Sequence, residues 1–239
     1  VAKGTSDIYA TTINVNTGTN NTGILVGSEY GDAASITIGA SSINANNTNG
    51  SGSGIYLYAG DITFNTPYNG QTVNISGNGS DTLLVVDAAG GKATTTGTPL
   101  TASNTVTFNN TSAYANIAGT RFNTTGNSNT GILIKGGHAV YTYNPSTEGS
   151  NTTITGIWDM NMTGGDNNVA IKNNAYARTL KIENNISSTN PVNVTSFNNA
   201  GHIQMSGTNN IAFLNLGYVS NKLSTSSLRL DDVALNGNR

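Results

Sequence analysis

The residues able to do acid–base chemistry in this 239-residue chain are few: twelve carboxylates and two histidines. A glycoside hydrolase needs two carboxylates flanking one bond. The closest acidic pair is Asp231-Asp232, and adjacent residues on a strand point to opposite faces, so these two form no dyad. Asp159 and Asp166 follow Trp158, whose indole could stack on a sugar ring. Solvated loop acids beside a half-buried tryptophan are the plainer reading of the same residues. Gly164-Gly165-Asp166 is a fragment of a calcium-binding glycine-rich repeat, but the nonapeptide does not recur, and a structural turn is expected there. His138 follows Gly136-Gly137 in what reads as an exposed turn, and His202 is the second histidine. A triad would need a nucleophile and an acid converging on one of them, and no Gly-x-Ser-x-Gly elbow occurs. With no cysteine and no paired histidine spacing, zinc is not expected. Walker-type phosphate loops are absent too. The expectation is a non-enzyme with no catalytic residue, no metal and no cofactor.

Aromatic residues are the better candidates for recognition. Tyr56 and Tyr58 fall on one face of the run 54–59, and Tyr141 and Tyr143 on one face of the run 139–144. Exposed tyrosine pairs on a flat sheet suit carbohydrate or protein binding. Tyrosines stacked between strands are equally a structural device. Tyr56, Tyr58, Tyr141, Tyr143 and Trp158 are the candidate ligand-binding residues.

The elements that must position them are short strands. Helical periodicity is missing throughout, and the nearest candidate, residues 175–183, alternates as a strand does. Two apolar residues alternating with Thr, Asn or a charge recur in Thr12-Ile13-Asn14-Val15, Ser35-Ile36-Thr37-Ile38, Asp61-Ile62-Thr63-Phe64, Thr72-Val73-Asn74-Ile75 and Thr105-Val106-Thr107-Phe108. The same pattern returns in Thr179-Leu180-Lys181-Ile182, Val192-Asn193-Val194 and Ser227-Leu228-Arg229-Leu230. This is the period of a half-buried strand. Asn-Gly, Gly-Asn, Asn-Asn and Gly-Gly pairs punctuate the runs with residues that tolerate positive φ.

A second recurrence sets the architecture. Thr22-Gly23-Ile24-Leu25-Val26, Ser53-Gly54-Ile55-Tyr56-Leu57, Thr130-Gly131-Ile132-Leu133-Ile134 and Thr155-Gly156-Ile157-Trp158 share one template, with isoleucines 31, 77 and 25 residues apart. If the long gap holds three periods, the repeat is about 25 residues, inside the window of solenoids. The predicted fold is an all-β parallel β-helix over residues 1–239, with 20–30 residues and two or three strands per coil. Isoleucine stacks on isoleucine, glycine turns the corner, and corner asparagines form amide ladders. A β-sandwich or jelly roll is the alternative.

Composition narrows the function classes. Charged residues make up 9% of the chain, against about a quarter in ordinary soluble proteins. Ten Lys and Arg and a net charge of −2 supply no phosphate-neutralising patch, so nucleic acid is not an expected partner. No apolar run reaches the length of a membrane span, and no membrane insertion is expected. The Cys-free, Asn/Thr/Gly-rich surface fits an extracellular or cell-surface protein that crosses a secretion channel unfolded. The start at Val1, with no signal peptide, reads as a processed or excised piece.

The Asn-Thr-Gly-Ile boxes at Asn21–Ile24 and Asn129–Ile132, the Asp61-Ile62-Thr63-Phe64 type of run and the overall texture are similar to passenger domains of type V autotransporter adhesins. That resemblance covers most of the chain and implies a right-handed parallel β-helix exported through an outer-membrane barrel. No barrel follows Arg239, so the chain would be an excised part. Residues 35–45 also resemble, once, the head repeat of trimeric autotransporters. The resemblance implies adhesion or display as a rigid solenoid. The expected partner is a host or neighbouring-cell surface protein or glycan, with self-association as a further mode. A self-assembling subunit of a filament, sheath or S-layer, and a polysaccharide-degrading enzyme on a β-helix, are the alternatives.

Overall fold

The computed structural model describes residues 4–9, 11–15, 20–28, 34–39, 41–45, 51–58, 60–64, 73–87, 94–95, 106–107, 112–116, 120–136, 150–155, 158–184, 202–219, 227–230 and 232–236. They contain strands and turns and no helix. The chain winds as a parallel β-helix with three strands per complete coil. The first coil is β1 (Gly4–Tyr9), β2 (Thr12–Asn14) and β3 (Asn21–Val26). The second is β4 (Ala34–Gly39), β5 (Ser42–Ala45) and β6 (Gly52–Leu57). The third is β7 (Gly60–Phe64), β8 (Val73–Gly77) and β9 (Thr82–Asp87). A two-stranded antiparallel ribbon, β10 (Thr94–Thr95) and β11 (Val106–Thr107), follows.

The stack resumes with β12 (Ser112–Asn116), β13 (Thr120–Thr124) and β14 (Thr130–Lys135). The fifth coil is β15 (Ser150–Thr155), β16 (Asp159–Met162) and β17 (Val169–Asn173). The sixth is β18 (Tyr176–Asn184), β19 (His202–Ser206) and β20 (Ile211–Asn215). A last turn comprises β21 (Tyr218–Val219), β22 (Ser227–Leu230) and β23 (Asp232–Asn236). Each strand hydrogen-bonds to its counterparts in the coils before and after, giving three parallel sheets in the order β1-β4-β7-β12-β15-β18-β21, β2-β5-β8-β13-β16-β19-β23 and β3-β6-β9-β14-β17-β20.

Inward positions form continuous apolar columns. The first sheet contributes Ile36, Ile62, Ala115, Ile154 and Ile182. The second contributes Ile13, Ile43, Ile75, Phe122, Met160 and Ile203. The third contributes Ile24, Ile55, Leu84, Ile132, Ile171 and Phe213. No single coil can enclose such a side chain, so stacking creates the core. Each fully buried aliphatic then contributes about 1.5–3 kcal/mol.

The Gly-Ile template is a packing rule of the third sheet. A Cβ on Gly54 would sit 2.7 Å from the Leu83 carbonyl oxygen and 2.8 Å from Ile75 Cγ2. A Cβ on Gly131 would sit 2.6 Å from the Ala170 carbonyl oxygen. Between these two glycines the same position is Leu83, fully buried. Its volume is accommodated by Gly77 on the facing strand, where a Cβ would lie 2.9 Å from Leu83 Cδ2.

Two expectations about the repeat are corrected. Ile55 and Ile132 are separated by two coils rather than three, because Leu84 occupies the coil between them. The fourth box does not belong to this sheet at all: Thr155 ends β15 in the first sheet, beside Asn116, and residues 156–157 lie outside the described residues. Offsets between stacked positions are 29 and 30 residues in the early coils and 48, 39 and 42 later. The early coils therefore fall at the upper end of the 20–30 residues expected, and the later ones exceed it because segments are inserted between strands.

The corner between the second and third sheets fixes the register. Asn20, Ser80, Ser128, Asn167 and Asn209 have φ of 61°, 55°, 61°, 58° and 57°, a left-handed conformation that asparagine tolerates best among non-glycine residues. The residues after the last four, Asp81, Asn129, Asn168 and Asn210, build a ladder. The Gly52 N–H donates to Asp81 Oδ1 (3.1 Å), and the Asp81 N–H to Asn129 Oδ1 (3.3 Å). The Asn129 N–H then donates to Asn168 Oδ1 and the Asn168 N–H to Asn210 Oδ1, both at 2.8 Å. Buried backbone donors at the corner are thus satisfied by the next coil's side chain. The amide ladder expected at the corners is present.

Candidate functional site

The outward faces of the three sheets carry the side chains free to meet a ligand. On the third sheet, β6, β9 and β14 lie side by side, and their ends bring four functional groups together. The Tyr56 hydroxyl donates to Asp87 Oδ2 at 2.6 Å, and Lys135 Nζ lies 3.2 Å from the same carboxylate oxygen and 3.0 Å from the Tyr56 oxygen. Lys135 also stands 5.5 Å from the Tyr56 ring centroid, and the Tyr58 ring packs on Tyr56 at 4.5 Å with a 37° tilt. Position in the strand explains the convergence: Tyr56 is the outward residue near the end of β6, while Asp87 and Lys135 are in-register partners at the last positions of β9 and β14.

Electrostatically the cluster is a shielded ion pair capped by a phenol. The Asp87 side chain is 5% exposed and that of Lys135 43%. Burial, then the hydrogen bond to Asp87 and its negative charge, pushes the Tyr56 phenol well above the ordinary tyrosine range. Tyr56 therefore stays protonated, and its ring is held by the hydrogen bond to Asp87 and the packing of Tyr58. The arrangement is a preorganised aromatic patch with a cation beside it.

The second sheet presents a different surface. On its outward face Arg121, Asp159 and His202 are in register on β13, β16 and β19, and the next column holds Asn123, Asn161 and Gln204. Together they line a shallow depression of about 210 Å³ with Met160 also at its wall. These six polar side chains are half-buried or exposed. Sequence reasoning did not bring Arg121, Asp159 and His202 together. The signal available was alternation alone, since each precedes a large inward residue: Phe122, Met160 or Ile203.

Among the sequence candidates, Tyr56 and Tyr58 are adjacent and outward, as expected. Trp158 is corrected: it is fully buried, its ring edge-on to Phe122 at 5.9 Å and 87°. It fills the core where the second sheet begins and presents no stacking face. Tyr141, Tyr143 and His138 lie outside the described residues. Asp166 sits at the corner, accepting the Thr208 N–H at 2.7 Å while its own N–H donates to Asn127 Oδ1 at 2.8 Å, the structural turn expected of Gly164-Gly165-Asp166. Among the described residues no group of three His, Cys, Asp or Glu could hold a metal ion. No helix among them is long and apolar enough to cross a membrane.

Comparison with protein-family models, curated proteins and solved structures finds no match to this chain.

Proposed function

We propose that this chain is a rigid, non-catalytic solenoid displayed outside the cell, acting in adhesion or display through its outward sheet faces. The observation that carries the reading is the Tyr56–Tyr58–Asp87–Lys135 cluster. Three coils hold an aromatic pair in place before any ligand arrives, which lowers the ordering cost of recognition. The poverty of charge elsewhere and the stacked hydroxyl and amide side chains suit a surface glycan or a surface protein as partner. Tyrosine contributes large contact area at low entropic cost in either case. The similarity to autotransporter passengers supports the same reading from the sequence.

The test is adherence of beads coated with the purified chain to a panel of cells. Adherence that falls at least fivefold with Tyr56→Ala and Tyr58→Ala supports the proposal, and adherence no better than that of uncoated beads refutes it. Released reducing ends or unsaturated products from a polysaccharide panel would instead establish the enzymatic alternative.

Self-association is favoured by a separate observation. Val233 and Leu235 continue the inward columns of Ile203 and Met205, yet they are 39% and 55% exposed on β23. Among the described residues no further strand pairs with β23 on this side, and an edge left so is a template for pairing with a second copy. Light scattering over a concentration series, with Leu235→Asp for comparison, decides the matter. Growth of wild-type particles that the variant abolishes supports end-to-end assembly, and a wild-type monomer at all concentrations excludes it.

A further inference from the structure

The outward asparagine column of the second sheet changes character along the stack. In the first three coils it is closed on itself: Ser76 Oγ donates to Asn44 Oδ1 at 2.8 Å, and Asn44 Nδ2 donates to Asn14 Oδ1 at 2.7 Å. In coils four to six the same column is Asn123, Asn161 and Gln204. Here the side-chain amides bond to no other side chain among the described residues, and they line the depression instead. Identical backbone geometry thus carries a satisfied ladder in one half and available donors and acceptors in the other.

We propose that this depression is a subsite for one unit of a neutral saccharide. Each amide offers a donor pair and an acceptor in one plane, matching hydroxyls that both give and receive hydrogen bonds. Adjacent strands are about 4.8 Å apart, so amides on β13, β16 and β19 address hydroxyls on different sides of one sugar ring. The flanking column is Arg121, Asp159 and His202, a cation, an anion and an imidazole in sequence. Opposite charges side by side cancel much of the net field, which favours an uncharged polyhydroxylated ligand over a phosphate or a sulfated sugar. The single apolar lining residue, Met160, is 1% exposed. The wall therefore offers no apolar pocket for the anchoring side chain that peptide recognition needs. Affinity at one such open site is weak, and attachment through it depends on many copies.

The inference deepens the recognition reading above and rests on it for the setting in which the sugar is met. Saturation-transfer NMR on the purified chain with methyl glycosides of glucose, galactose, mannose and N-acetylglucosamine tests it directly. At least one is expected to show transfer, reduced tenfold or more by Asn161→Ala and by Asn123→Ala and unchanged by Thr5→Ala, an exposed position on the first sheet. Both asparagines are exposed, so the variants keep the wild-type circular dichroism spectrum. No transfer from any glycoside, transfer only from acidic sugars, or transfer insensitive to both substitutions overturns the proposal. Cell adherence without sugar binding sinks the subsite and leaves the adhesion reading standing. Sugar binding without adherence does the reverse.

Discussion

Replacing Asn129 by alanine removes one rung of the inward corner ladder, and its cost follows from the bonds the side chain makes. Asn129 is fully buried. Its Oδ1 accepts the Asp81 N–H, and its Nδ2 donates to the carbonyls of Thr125 (3.1 Å) and Gly126 (3.2 Å) and to Asn168 Oδ1 (3.2 Å). Two of these partners keep another bond in the variant: Gly126 O still accepts from Asn168 Nδ2 (3.3 Å), and Asn168 Oδ1 still accepts the backbone N–H of residue 129. The Asp81 N–H and the Thr125 carbonyl lose the side-chain partner. Asp81 is fully buried, whereas Thr125 is exposed and its carbonyl can turn to water; leaving one buried polar group unsatisfied costs about 1–3 kcal/mol, so the expected loss is about 1–3 kcal/mol. The matched control is Asn123→Ala, an exposed amide, which should change stability by less than about 0.5 kcal/mol. Urea denaturation followed by circular dichroism measures both. Neighbouring coils stabilise one another through their interfaces, so a lower m value in Asn129→Ala would report coils three and four uncoupling. If Asn129→Ala falls within about 1 kcal/mol of wild type, or matches its control, the corner ladder is not what holds the register.

Three further outcomes follow from the same geometry. The Thr124 hydroxyl faces the core of β13 without a hydrogen bond among the described residues, so Thr124→Val should raise the urea midpoint by the equivalent of about 1 kcal/mol; a lowered midpoint contradicts this. Gly54→Ala forces a methyl against the Leu83 carbonyl and Ile75 and should cost about 1–3 kcal/mol, whereas a neutral melting temperature would mean the corner can dilate. The raised pKa of Tyr56 means that the unfolded chain ionises first, near the ordinary tyrosine value of about 10. Its stabilisation is complete below that pH and is lost as pH rises further. Wild type should therefore lose stability relative to Tyr56→Phe between pH 9 and 11, and parallel decline of the two refutes the coupling.

Alternation made the strands legible. Ser35–Ile38 falls in β4, Asp61–Phe64 in β7, and Thr179–Ile182 in β18. These runs are recognisable because a strand with one face in the core needs apolar residues at every second position, wherever it sits in the fold. Thr105–Phe108 had the same signature, yet its described part, β11, pairs with β10 outside the stack. The pattern reports a half-buried strand and not its partner. Coil length was obscured for a physical reason: the template was anchored on glycine, and what the site requires is small total volume. Leu83 with Gly77 opposite meets that requirement as well as Gly54 does. The steadier signature lay just before the glycine, in Ser80-Asp81, Ser128-Asn129, Asn167-Asn168 and Asn209-Asn210, where positive φ and a ladder amide or carboxylate leave few acceptable residue types. Tyr56 and Tyr58 were readable because they are close in sequence. Arg121, Asp159 and His202 were not, because unequal coils hide their register.

That asymmetry between corners bears on where recognition can reside. The corner from the second sheet to the third is short throughout, from four residues at 78–81 to six at 163–168, and it holds the buried ladder whose bonds an insertion would break. The corner from the third sheet to the first varies: β6 ends at Leu57 and β7 begins at Gly60, but β9 ends at Asp87 and β12 begins only at Ser112, and β14 ends at Lys135 before β15 at Ser150. Lengthening a surface connection adds little entropic cost once its ends are fixed, so this corner tolerates variation that the other does not. Asp87 and Lys135, the residues that clamp Tyr56, are the last strand positions before those two long connections. The rigid corner sets the spacing of the coils, and the permissive corner is where side chains and added segments can be brought against a partner. The recognition surface proposed at Tyr56 would use both: register from the ladder, and freedom to diversify at the strand ends beside it.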